Sequence, residues 1–211
     1  MNKNVAVLRC LVFALVALGA TGCAKLLTEP PRPLYRLTAP ANFPAATRHV
    51  AAQLTIGVPY APVAIDTTRI AISRSPVSLD YLADGDWTDR ASALVQTELV
   101  EAFENSRAFA AVGPDSLDLR ADFVIQGDLR HFEAAYDSAS ATPVVWIALA
   151  VKLVKVPEHT ILAETLISAR EPAAANATPD IVLAFDKAMA GVARQVVDWT
   201  LANTPLPARR R

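Results

Sequence analysis

The sequence has little of what most catalytic and metal centres are built from. It holds two cysteines, Cys10 and Cys23, and three histidines, His49, His131 and His159. The histidines fall in different segments, and no pair has the helix or hairpin spacing that puts two ligands on one metal. No metal site and no cofactor are expected. Seven glycines form no phosphate-cradling loop, since Gly85 sits in an Asp-Gly-Asp segment and Gly127 and Gly191 stand alone. Without a P-loop there is no ATPase, and without a G-x-S-x-G elbow no hydrolase of that type. No catalytic residue is singled out, and the chain does not read as an enzyme. Charge of one sign is also missing. The formal net charge is −1, so no basic field is available to grip nucleic acid.

What is present starts with apolar residues. Of the 211 residues 53% are hydrophobic and 19% charged, with a mean hydropathy of +0.28. That fits a well-filled core or a sticky surface. Part of the excess lies at the N-terminus. Lys3 and Arg9 precede an uncharged stretch, Cys10–Thr21, whose apolar residues are Leu11, Val12, Phe13, Leu15, Val16 and Leu18. The stretch is short of the roughly 20 residues that cross a bilayer and has the layout of an export signal. It ends on Ala20-Thr21-Gly22-Cys23. This ending resembles the lipobox of bacterial lipoproteins, with Ala20 where leucine is more usual. The resemblance implies cleavage after Gly22 and diacylation of the Cys23 thiol, with fatty chains of the palmitate type. Each buried CH2 contributes about 0.8 kcal/mol, so two or more chains anchor firmly where one does not. Cys10 leaves with the signal, and the remaining cysteine is acylated, so no disulfide is expected. Ala24, rather than Asp, follows Cys23. By resemblance to lipoprotein sorting rules, this favours the outer membrane.

The expected organisation is a signal peptide over 1–22, a lipidated cysteine with a Pro-rich tether over 23–33, one domain over 34–204, and a basic tail over 205–211. Glu29-Pro30-Pro31-Arg32-Pro33 cannot be helical, and about ten extended residues reach roughly 30 Å. Arg209, Arg210 and Arg211 read as a frayed, solvated end.

Within the domain, alternation predicts strands at Leu34–Thr38 and Gln53–Val58. Arg69–Ser73 and Val77–Leu82 read as a hairpin or bent pair. Asp84-Gly85-Asp86 reads as a turn that leads into a helix, with Asp86 as its cap and Trp87, Ala91, Leu94, Val95, Leu99, Ala102 and Phe103 on one face. The helix ends near Arg107, and Phe109–Val112 is a short apolar segment. Asp122–Leu129, Val144–Val156 and Thr160–Arg170 read as three strands of an antiparallel meander. Phe132 lies on the opposite parity from Leu129, which predicts a bulge at Arg130 or His131. Thr178-Pro179-Asp180 starts a second helix, with Thr178 as cap and Ile181, Phe185, Ala188, Val192, Val196 and Trp199 buried. The fold class is α+β: a mixed or antiparallel sheet of about six to eight strands with two main amphipathic helices packed on it. His131, Glu133 and Asp128 read as a partly exposed polar strand edge, and Trp146 lies opposite the main apolar face of its strand.

Taken in order, the segments "PLYRL", "LTIGVPYAP", "IDTTRIAI", "LDYLADGDWTDRASALVQTELVEAFENSRAF", "FVIQGDLRHFE" and "VVDWTL" resemble the ABC-type transport auxiliary lipoproteins, the group that contains paraquat-inducible protein C. The resemblance spans nearly all of the chain after Cys23, and its motifs are short, so order and spacing carry it. It implies a role beside a transporter that moves lipid between inner and outer membranes through tunnels of MCE-domain proteins. The lipoprotein would sit on the periplasmic face of the outer membrane, dock the tunnel-forming protein and support membrane integrity. A homo-oligomer is compatible with it. A different envelope adaptor, such as an activator of wall synthesis or an outer-membrane assembly factor, fits the same α+β pattern.

Overall fold

The computed structural model describes residues 31–43, 48–117, 120–137, 142–156 and 158–205. The long C-terminal meander organises it. Strands β6 (Phe123–Ala135), β7 (Val144–Lys155) and β8 (Thr160–Pro172) pair antiparallel over their whole lengths. Val145, Ile147, Leu149, Val151 and Leu153 alternate along β7 and are all buried, as a strand with one face under helices requires. The register shifts between Leu129 and His131, where the bulge is expected. The extra residue brings Leu129 and Phe132 to the same face, although they are three apart.

The other edge of β6 is divided. Near its start it pairs in parallel with β2 (Val50–Ile56), through Leu54, Thr55 and Ile56. Near its end it pairs in parallel with β3 (Arg69–Ser75), through Ala134 and Ala135. Between them Tyr60 bridges to Asp128. β2 continues the sheet to β5 (Phe109–Pro114), and β3 continues it to β4 (Ser78–Trp87) and β1 (Leu34–Tyr35). The described residues form an eight-stranded mixed sheet with two α-helices, α1 (Ala91–Ser106) and α2 (Thr178–Asn203). α1 packs on β2, β5 and α2, and α2 packs on β7 and β8. This is the expected α+β architecture.

Several local expectations are corrected. Asp84-Gly85-Asp86 is not a turn. β4 runs straight through it to Trp87, with Asp86 paired to Leu34 on one side and Arg69 on the other. Glycine is there for space: a Cβ on Gly85 would lie 2.7 Å from the Tyr35 ring and 3.0 Å from Thr178. Trp87 is therefore a strand residue. It is buried, and α1 starts four residues later with Arg90, not Asp86, at its N-cap and no side-chain cap. Thr178 does not cap α2 either. Ala177 holds that position, and the Thr178 hydroxyl donates to Asp84 Oδ1 at 2.7 Å. The first strand is only Leu34–Tyr35, and β2 begins at Val50 and ends at Ile56, because its partners β5 and β6 set its limits.

The core closes on three aromatic rings from distant segments. Phe185 lies 5.2 Å from Trp87 and 5.0 Å from Phe132, with Trp87 and Phe132 5.8 Å apart. Tilted and edge-on pairs at this spacing add about 0.5–1.5 kcal/mol each beyond area burial. The bulge in β6 is what turns Phe132 inward to meet them.

Candidate functional groove on the helix-free face

Both helices cover one face of the sheet. Pairing fixes what the other face carries. Residues directly opposite on antiparallel strands share a face, so Glu133, Trp146 and Arg170 form one cross-strand row on the helix-free side. His131, Ala148 and Ser168 form the next, and Asp128, Ala150 and Leu166 the one after. Tyr60, bridged to Asp128, is largely exposed, as are Leu166 and Ile161.

At the β3–β4 end this face hollows into a groove of about 1000 Å³. One wall is the hairpin Ser73–Leu79, closed by a two-residue Pro76-Val77 turn with Ser75 and Ser78 hydroxyls 2.8 Å apart. The opposite side is the first row of the sheet. Trp146 is its centre. The His131 ring stacks on it with centroids 3.3 Å apart and planes 13° from parallel, and the Arg170 guanidinium lies 4.0 Å from its centroid. His131 Nδ1 is 2.8 Å from Glu133 Oε1, and the Phe132 amide donates to Glu133 Oε2 at 2.7 Å. Glu133 is buried and both of its oxygens are occupied, so it fixes the imidazole and the bulge. Arg74 rests on the Tyr136 ring at 4.7 Å. Pro62, Ile65, Val77 and Leu79 give the groove an apolar lining. Val77, at the hairpin tip, is 95% exposed, and Val63, beside Pro62, is 87% exposed.

The strand-edge reading of His131, Glu133 and Asp128 is thus refined. His131 and Glu133 support Trp146 from the adjacent strand, while Asp128 lies two rows away, 3.4 Å from Arg130. Trp146 is half-buried under this stack. The sequence reading missed Arg74, Tyr136 and Arg170, because only the register brings them to one groove. Among the described residues no group of three or more His, Cys, Asp or Glu side chains could hold a metal ion. His49 contacts the Arg107 carbonyl at 3.2 Å, and His159 sits in the β7–β8 turn with φ 53°. No helix among the described residues is long and apolar enough to cross a membrane. Cys23, the signal segment, tether residues up to 30 and the arginine tail lie outside the described residues.

A family model described as "ABC-type transport auxiliary lipoprotein component" matches residues 35–197. A protein of Bradyrhizobium diazoefficiens is 30% identical over 171 residues, which are 79% of this chain and 44% of that protein. The chain therefore spans less than half the length of that curated relative. The crystal structure of a Xanthomonas campestris protein of the DUF330 type superposes with a TM-score of 0.73 at 28% identity, over 81% of this chain and 95% of the other. A second crystal structure, of an uncharacterized protein, gives a TM-score of 0.63 at 12% identity over 81% and 99%. That second likeness is one of fold alone.

Proposed function

Because the chain belongs to the family of ABC-type transport auxiliary lipoprotein components, we propose that it is the envelope-anchored, non-catalytic partner of an ABC transporter that carries lipid between two membranes. In this reading residues 1–22 are removed, Cys23 is acylated, 23–33 is a tether, and the folded body stands off the periplasmic face of the outer membrane. There it docks a tunnel-forming MCE-domain protein. The family match carries the proposal, since it runs from Tyr35 in β1 to Val197 in α2 and so takes in nearly the whole sheet, all of α1 and most of α2. The uninterrupted apolar run into Ala20-Thr21-Gly22-Cys23 supports the anchor.

Two measurements test it. Metabolic labelling with an alkyne fatty acid labels the protein, and Cys23→Ala abolishes the label and leaves the leader uncleaved. Crosslinking in native membranes recovers an MCE-domain protein. A labelled Cys23→Ala protein overturns the anchor, and crosslinks only to a wall synthase or an outer-membrane barrel overturn the docking role.

A further inference from the structure

We propose that the groove between the β3–β4 hairpin and Trp146 binds one anionic phospholipid, with its charged head group drawn to Arg74 and Arg170 and its chains along the apolar wall. Two features of the groove carry this. The first is its charge. Arg74, Arg130 and Arg170 line it against Glu133 and Asp137. Glu133 is used by His131 and the Phe132 amide, Asp137 has a contact of its own, and Arg130 lies by Asp128. Arg74 and Arg170 differ from them. Each is exposed, has its guanidinium carbon over an aromatic ring, and has no carboxylate within salt-bridge distance among the described residues. A ring contact leaves N–H donors of the guanidinium for other partners, and its planar fork can take a phosphate in two parallel hydrogen bonds. The second feature is the rest of the lining. Pro62, Val77 and Leu79 are exposed and offer apolar surface that an inorganic anion or a sugar would leave wet.

A ligand that satisfies both must be an amphiphile with an anionic head. The size agrees: about 1000 Å³ is at the upper end of ligand pockets, and the groove is open, so chains can leave past the exposed Val77 tip. The site rests on the lipid-transport reading for its source of ligand and fails independently of it.

The test uses the protein in its own membrane. A photocrosslinking amino acid replaces Leu79, at the groove wall, or Leu183, exposed on α2, in cells grown on radioactive phosphate. Illumination transfers phospholipid label to the Leu79 position and not to the Leu183 position. Arg74→Glu and Arg170→Glu each lower the Leu79 label about tenfold, the weight of one charge-assisted hydrogen bond. Arg74 and Arg170 are exposed, and protease resistance confirms that the variants fold. Equal labelling at Leu79 and Leu183, label unchanged by both charge reversals, or capture of protein alone at Leu79 overturns the proposal. If the MCE crosslink survives while the groove takes no lipid, the docking role stands and this site does not.

Discussion

Glu98 makes the stability of this fold depend on pH. It lies on the buried side of α1, 4% exposed, and its Oε2 is buried with no hydrogen-bond partner among the protein groups described. Burial first, then the charges of Glu101 one turn on and Asp186 on α2, raise its pKa from 4.5 to about 7. The folded protein therefore holds this proton more tightly than the unfolded chain does. Below pH 4.5 both states are protonated and the contribution is complete. As pH rises, the unfolded chain releases its proton first, and stability falls until the folded carboxyl ionises near pH 7. The gap between the two values corresponds to about 3 kcal/mol at 1.36 kcal/mol per unit. Glu98→Gln keeps the shape and is neutral at every pH. Urea unfolding followed by tryptophan fluorescence, at steps from pH 5 to pH 8, measures the difference. Relative to the glutamine variant, the parent loses about 2.5 kcal/mol across that range, the rest of the gap being lost below pH 5, and at pH 8 the variant is the more stable of the two. Parallel pH profiles, or a variant less stable than the parent at pH 8, refute the argument.

Three further variants concern packing and backbone freedom. Gly85→Ala places a methyl 2.7 Å from the Tyr35 ring and costs about 1–3 kcal/mol by overpacking. Gly191→Ala, with nothing within 4 Å of the added carbon on α2, gains about 0.5–1 kcal/mol from reduced freedom of the unfolded chain; thermal unfolding of the two variants should move in opposite directions. Phe185→Ala removes the ring that joins Trp87 to Phe132 and lowers stability by about 3–5 kcal/mol, read by the same urea titration.

The sequence disclosed those elements whose patterns are local. The β6–β8 meander, its bulge, both amphipathic helices and the β3–β4 hairpin each follow from periodicity or turn residues within one segment. The failures share a cause. Asp84-Gly85-Asp86 has turn composition, yet it lies between β1 and β3, and two rows of backbone hydrogen bonds outweigh local propensity. Trp87 keeps helical spacing with Ala91 and Leu94 by coincidence, since its burial comes from Phe132 and Phe185 across the core. Glycine at 85 carries a signal for this outcome. In a strand interior it can mark close approach of another element, and here that element is Tyr35 with Thr178 behind it.

The groove was not legible for a related reason, and the bulge in β6 explains why. Without the extra residue between Leu129 and His131, strict alternation would put Phe132 on the face with Asp128 and send His131 and Glu133 under the helices. With it, Phe132 joins the core and His131 turns outward to stack on Trp146. One inserted residue therefore sets both the aromatic core and the floor of the groove. Arg170 reaches Trp146 only because β7 and β8 hold their register from Leu153 to Val144 without a slip. The groove is thus a property of strand pairing, which no single segment encodes.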